Sequence, residues 1–309
     1  MAAEGGSTRA VVTALAANLG IAVSKGVGAL VTGSSSMLAE AVHSLADTTN
    51  QALLLVGGRR AKKAADEQHP FGYARERYIY AFIVSIVLFT LGGLFALYEG
   101  YHKIVEPTEL TSPLVAVIIL VIAIGLEGYA LITAAKAANE IRGGRSWWQF
   151  IRHAKAPELP TILLEDAGAV TGLVVALFGV GLTVLTGNAV FDGIGTFVIG
   201  ALLVAIAVVL AMETKSLLVG EAASKANVAK IREALLAEPR FDRVIHLRTM
   251  HLGPDELLVA VKVTVARGTL AEEISEATNS AEARVRAAVP IATLIFVEPD
   301  VYQPSLSGQ

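Results

Sequence analysis

The sequence predicts a polytopic α-helical membrane protein, in which six transmembrane helices are followed by a small α+β domain. First, 54% of the 309 residues are hydrophobic and 17% are charged, which is too apolar for an ordinary soluble domain. Second, six segments reach the roughly 20 largely apolar residues that a helix needs to cross a bilayer. Third, the hydropathy falls after Met212. We therefore expect a membrane domain over residues 1–214 and a cytoplasmic dimerisation or regulatory domain over residues 215–309.

The predicted spans alternate with loops of very different charge. The spans are Ala10–Val31, Met37–Gly57, Tyr78–Gly100, Pro113–Ala135, Thr161–Leu185 and Ala189–Met212. Basic residues follow the second and fourth spans, whereas the loops after the first, third and fifth contain Lys103 alone. The positive-inside rule then places both termini in the cytoplasm. The N-terminus shows no signal-peptide pattern, and the Ala/Val-rich composition favours a bacterial cell (inner) membrane.

The segment after Met212 has the pattern of a small folded domain. Its predicted order is α-β-β-α-β, and its roughly 85 residues include enough apolar side chains to form a thin core. The elements are the helices Ala226–Ala237 and Leu270–Ala288 and the strands Arg243–Met250, Glu256–Val265 and Ile291–Val297. The turn Gly253-Pro254-Asp255 joins the first two strands, and the last residues, Pro304–Gln309, form an expected disordered tail. An open face or edge of this sheet could serve dimerisation.

Composition also limits the chemistry. The net charge of -3 is small and negative, so it does not favour a nucleic-acid partner. The chain contains no cysteine, which excludes disulfides and thiolate ligands. Any metal site must therefore use His, Asp, Glu, Asn or backbone oxygen.

The second predicted span carries a polar stripe. Glu40, His43, Asp47 and Asn50 are separated by three, four and three residues, so they share one helical face. A carboxylate at mid-membrane depth costs roughly 2.5–3.5 kcal/mol, and such residues face a cavity, a partner or an ion. The stripe indicates either an interhelical hydrogen-bond network or a divalent-metal site, in which His43 and Asp47 present an imidazole and a carboxylate to one small volume.

The fifth predicted span contributes the adjacent acids Glu165 and Asp166. Neighbouring residues in a helix point about 100° apart, so both can flank one site only if it lies between their directions. Alternatively they are first-turn acids that complement the helix dipole. Asp47 is central in its span, whereas Glu165 and Asp166 lie only about one turn inside the predicted start of theirs. The three acids can serve one site if the fifth helix begins nearer Pro157, or if a water-filled cytoplasmic cavity reaches the site.

Other polar residues have weaker patterns. Glu127 in the fourth span is a proton-linked group, a metal ligand, a residue that positions a metal ligand, or a structural hydrogen-bonding partner. Lys25 is explained by snorkelling to the bilayer surface, and Asp192 by an N-cap or first-turn position. Asp66 and His69 suit either a peripheral metal site or a plain turn. His246 and His251 flank a strand at an odd separation and so lie on opposite faces.

Two motifs resemble those of the cation diffusion facilitator family. They are GSSSMLAEAVHSLAD at Gly33–Asp47 and HPFGYARER at His69–Arg77, and the six spans and the small domain agree with them. The sequence LLED at Leu163–Asp166 is similar to the fifth span of the zinc-transporter-like branch of this family.

The resemblance implies a homodimeric, proton-coupled exporter of Zn²⁺ or a related divalent cation, and not an enzyme. It maps His43 and Asp47 onto two transport ligands and Asp166 onto a third. Ile162 stands where a fourth is usual, so Glu165, with Asn50 or water, is the expected substitute. More oxygen ligands would ease binding of Mn²⁺, Fe²⁺ or Co²⁺. An exporter selective for these metals and a non-transporting metal sensor or scaffold are the alternatives.

Overall fold

The computed structural model describes residues 18–301. The beginning of the predicted span Ala10–Val31 and the predicted tail Pro304–Gln309 lie outside the described residues. The described chain forms two compact units, residues 18–60 with 76–215 and residues 61–75 with 216–301. The loop 61–75 thus belongs to the C-terminal unit. The domain boundary that we expect from the sequence, at residue 214, assigns this loop to the membrane domain instead.

The first unit is helical throughout. Its helices are α1 (Asn18–Thr32), α2 (Ser35–Arg60), α3 (Glu76–Val105), α4 (Pro113–Arg142), α5 (Trp147–His153), α6 (Glu158–Thr186) and α7 (Val190–Val219), and residues Leu88–Leu94 of α3 are π-helical. Within residues 18–301, four helices (α3, α4, α6 and α7) are long and apolar enough to cross a membrane. Six spans remain a prediction, because α1 is described only from Asn18 and the polar stripe and terminal arginines lower the hydropathy of α2.

Large apolar side chains on these helices face outward. Leu114 and Tyr129 of α4 and Phe178 and Leu185 of α6 are each more than 65% exposed. Apolar surface of this extent is unfavourable in water but suits a lipid environment. The interior contains Leu120, Leu173, Val180, Ile199 and Leu203, all buried.

Glycines let α3 and α7 approach closely. A Cβ atom on Gly200 would stand 2.6 Å from the backbone nitrogen of Leu97, and one on Gly93 would stand 2.6 Å from a methyl of Val204. Small residues at such contacts allow tight packing where the hydrophobic effect does not drive helices together. The backbones of α3 and α7 are therefore in close contact at these glycines.

The serine run before α2 is explained by an acid from another helix. Asp192, in the first turn of α7, accepts a hydrogen bond from Ser34 Oγ at 2.9 Å and one from the Ser35 backbone N–H at 2.8 Å. Unpaired N–H groups at a helix N-terminus attract carboxylates. The first-turn acid of α7 is thus also the cap of α2, which fixes the start of the helix that bears the polar stripe.

The C-terminal unit has the predicted α-β-β-α-β order. It comprises α8 (Lys225–Leu236), β1 (Arg243–Gly253), β2 (Glu256–Thr264), α9 (Ala271–Ala288) and β3 (Leu294–Asp300). β1 and β2 pair antiparallel, and β3 pairs parallel with β2 after the α9 crossover. Alternate β2 residues are buried against the two helices, as expected for a sheet covered on one face.

Candidate metal centre

His43 and Asp47 lie together on α2, as their spacing predicts. His43 Nε2 is 3.5 Å from Asp47 Oδ2, and the His43 side chain is fully buried. Neither ring nitrogen of His43 has a hydrogen-bond partner, and Asp47 Oδ1 is also buried without one. Buried polar atoms are normally paired, so these lone pairs indicate a place for a ligand. One imidazole nitrogen and one carboxylate suit a divalent cation.

Asn50 joins the stripe to α6. Its Nδ2 donates a hydrogen bond of 2.6 Å to Glu165 Oε1, and both side chains are buried. The helix α6 begins at Glu158, earlier than the predicted Thr161, so Glu165 lies two turns inside the helix. This earlier start resolves the difference in depth between the α2 and α6 acids. It also excludes a first-turn role for Glu165 and Asp166.

The acids of three helices interact electrostatically. Asp47 interacts with Glu127 and Glu165, and Asp166 interacts with Asp47 and Glu127. Within residues 18–301, however, no three His, Asp or Glu side chains stand close enough to hold a metal ion in this arrangement. Like charges gathered in a low-dielectric interior repel one another unless protons or a cation compensate them. The arrangement is therefore one of converging acids rather than a closed shell.

Lys25 forms a second buried cluster beside these acids. Its Nζ lies 2.7 Å from Ser44 Oγ, 3.3 Å from Glu40 Oε2 and 3.5 Å from Glu127 Oε1. The snorkelling interpretation is wrong, because Lys25 is 1% exposed and neutralises acids of α2 and α4. We did not predict this role from the sequence. A lysine within one apolar helix, together with acids on two others, is the pattern that could have indicated it. Glu127 is thereby engaged in an ion pair.

The π-helical segment of α3 borders the imidazole. A Cβ atom on Gly92 would lie 3.8 Å from His43 Nδ1, at ordinary van der Waals distance. π-Helical segments are rare and occur frequently at functional sites. Glycine at this position leaves space next to the ring, which places α3 among the walls of the site.

The exposed pair Asp66 and His69 forms a turn in the second unit. Asp66 accepts hydrogen bonds from Lys63 Nζ at 2.8 Å, from the Tyr73 hydroxyl at 2.7 Å and from the His69 backbone N–H at 2.8 Å. These bonds, led by that from Lys63, lower the pKa of Asp66 below its ordinary value. Tyr73 and Lys63 thus use the oxygens that a peripheral metal would need, which favours the turn interpretation.

The two histidines of β1 do not meet. His246 is exposed and pairs in register with Lys262, whereas His251 is 3% exposed with its Nδ1 3.2 Å from the Gly253 carbonyl oxygen. Lys262 Nζ lies 2.8 Å from Glu298 and 3.0 Å from Asp300. The acids of β3 are therefore paired with a lysine of β2.

Comparison with known proteins gives the family. The family model described as "Cation efflux transmembrane domain" matches residues 11–219, more than half of the chain. The chain is 34% identical over 237 residues to the proton-coupled zinc antiporter SLC30A9, mitochondrial, of Xenopus laevis, which covers 75% of the chain and 42% of that protein. It is 30% identical over 251 residues to metal tolerance protein C4 of Arabidopsis thaliana, which covers 80% of the chain and 55% of the relative.

The chain thus spans about half the length of these two curated relatives. A solved MamM C-terminal domain aligns with a TM-score of 0.24 at 23% identity, over 26% of this chain and 94% of that one. Membership of a transporter family confirms the expectation that the protein is not an enzyme. The chain belongs to the cation diffusion facilitator family of cation efflux transporters.

Proposed function

We propose that this protein exports a divalent metal cation, Zn²⁺ foremost, by exchange with protons at a site made of His43, Asp47, Glu165 and Asp166. The observation that carries the proposal is the His43–Asp47 pair, 3.5 Å apart, whose ring nitrogens and Oδ1 are buried without hydrogen-bond partners. The similarity to a proton-coupled zinc antiporter and to a metal tolerance protein supports the same chemistry.

The donor set explains why Zn²⁺ ranks first and why other metals compete. One imidazole nitrogen with carboxylate oxygens fits tetrahedral Zn²⁺, which accepts His, Asp and Glu ligands at about 2.0–2.2 Å. Ile162 supplies no donor atom, so Glu165 is the fourth ligand, held in place by Asn50. Because oxygen donors dominate, Mn²⁺, Fe²⁺ and Co²⁺ are the competing substrates.

Proton exchange follows from charge compensation. The imidazole and carboxylates must be deprotonated to bind a divalent cation, so metal binding releases protons and protonation releases metal. A site that faces each side of the membrane in turn converts this competition into exchange. Protons that enter from the outside would then drive metal outward.

We further propose that the protein acts as a homodimer in a bacterial cell (inner) membrane, with both termini in the cytoplasm. The charge pattern of the loops supports this orientation. The face of the C-terminal sheet away from α8 and α9 presents Phe296, which is 54% exposed, and is the surface available for pairing with a second copy. Cross-linking of a cysteine introduced at this residue would test the dimer.

Flux measured in proteoliposomes tests the transport proposal. We expect Zn²⁺ entry coupled to proton exit for the unmodified protein and loss of both for His43→Ala and for Asp47→Ala. His246→Ala, an exposed histidine in the second unit, is the matched control and should retain flux. Undiminished flux in both α2 variants would contradict the proposal. Zn²⁺ binding without any flux in the unmodified protein would instead favour a sensor or scaffold, and the same assay with Mn²⁺, Fe²⁺ and Co²⁺ ranks the substrates.

A further inference from the structure

The short helix between α4 and α6 presents two tryptophans at one end of the bundle. Trp147 is 38% exposed and Trp148 is 56% exposed, and they are the two tryptophans of the whole chain. Phe150 and Ile151 of the same helix are buried. A capping box at Ser146 also fixes the start of the helix. The exposed indole rings therefore belong to an ordered surface.

Arginines stack on the aromatic rings of this segment. The guanidinium carbon of Arg142 lies 4.3 Å from the Trp147 ring centroid, and that of Arg152 lies 5.8 Å from the Trp148 ring. Stacking and local hydrogen bonds hold the guanidinium of Arg142 in one orientation, and its positive charge remains available to attract a phosphate. The segment thus combines oriented cations with aromatic surface.

Arg142 and Arg145, which lies three residues after it, lack an acidic partner in the part of the chain that the structure describes. Within residues 18–301, Arg142 and Arg145 form no ion pair, and their side chains donate hydrogen bonds to Asn139 and to backbone carbonyls at or just after the end of α4. Arg152, in contrast, lies 2.9 Å from Glu213. Two positive charges beside the tryptophans therefore remain uncompensated, which suits an anionic ligand.

The position of the surface identifies the kind of anion. It lies where α4 ends and α6 begins, and both helices are apolar enough to cross a membrane. Tryptophan is enriched at the level of lipid headgroups, and basic clusters next to transmembrane helices attract anionic lipids. We propose that Arg142, Arg145, Trp147 and Trp148 form a binding surface for the phosphate headgroup of anionic phospholipids.

The tryptophans themselves provide the test, because their fluorescence reports on this segment alone. The full chain is reconstituted in phosphatidylcholine vesicles that contain either dibrominated phosphatidylglycerol or, at the same mole fraction, dibrominated phosphatidylcholine. We expect quenching by the anionic lipid to be roughly twofold stronger and to decline toward the phosphatidylcholine value at high salt. The double variant Arg142→Gln/Arg145→Gln should lose the additional quenching by the anionic lipid. Arg232→Gln, which replaces an exposed arginine of α8, should retain it.

Three outcomes would overturn the proposal. Equal quenching by the two lipids would show that the tryptophans merely sit at the bilayer surface. Additional quenching by the anionic lipid that persists in the double variant would show that the headgroup binds at other residues. Displacement of the excess by soluble polyglutamate would assign the surface to an acidic protein partner. The salt series on the unmodified protein gives an answer even if the double variant fails to fold, and none of these readouts depends on metal transport.

Discussion

The amide of Asn50 donates to the carboxylate of Glu165 at 2.6 Å and so links α2 to α6 at the depth of the candidate metal centre. The two helices that carry the proposed ligands are therefore joined by a residue that need not itself bind metal. The same bond orients Glu165, the acid that we propose as the fourth ligand in place of Ile162.

Removal of the Asn50 amide should weaken metal binding without abolishing it. Partners that orient ligands typically contribute tenfold to a hundredfold in affinity, so we expect Asn50→Ala to bind Zn²⁺ about tenfold more weakly. Competition with a fluorescent zinc chelator measures the affinity. Asn279→Ala, exposed on α9, is the control. Unchanged affinity in Asn50→Ala would show that Glu165 needs no positioning.

Lys25 should be a determinant of stability. Lys25→Met leaves the buried Glu40 and the partly buried Glu127 without their cation, and loss of one partner of a buried ion pair typically costs about 3–5 kcal/mol. Thermal unfolding in detergent should show a large decrease in Tm, which addition of Glu40→Gln to the variant partly reverses. Lys230→Met, exposed on α8, serves as the control. A Tm equal to that of the control would mean that the cluster contributes nothing.

The close approach of α3 and α7 predicts opposite effects for two glycines. Gly200→Ala places a methyl 2.6 Å from the Leu97 backbone nitrogen, so we expect a loss of about 1–3 kcal/mol from overpacking. Gly125→Ala, in α4, meets no atom within 4 Å and should be neutral or slightly stabilising. Unfolding of the two variants under identical conditions gives the comparison. A Gly200→Ala protein as stable as Gly125→Ala would contradict the tight packing.

The turn at Asp66 should lose its order only in acid. Its folded pKa lies below the ordinary value of about 3.9, so its contribution is complete above that value and is lost as the pH falls through the folded pKa. Hydrogen–deuterium exchange of residues 61–75, corrected for intrinsic rates, should show protection retained at pH 5 that disappears toward pH 2. Asp66→Asn should lack the pH dependence. Loss of protection already above pH 5 would contradict the role of the Asp66 carboxylate.

The polar stripe and the domain order were predictable because each follows from spacing along one element. The i, i+4 spacing places His43 and Asp47 on one face, and alternation of apolar residues predicts the strands around Gly253-Pro254-Asp255. The partner of Lys25 was not predictable, because it depends on how α1 packs against α2 and α4. For the same reason, the capping of α2 by Asp192 joins residues 157 positions apart.

X-ray absorption at the zinc edge tests the central claim most directly, because it reports the atoms bound to the metal. For protein loaded with one Zn²⁺ per chain, we predict a shell of nitrogen and oxygen atoms at about 2.0 Å with the signature of a single imidazole. That signature should vanish in His43→Ala and persist in His246→Ala. A spectrum with two or more imidazoles, or one that His43→Ala leaves unchanged, would contradict a transport site built from His43 and the acids of α2 and α6.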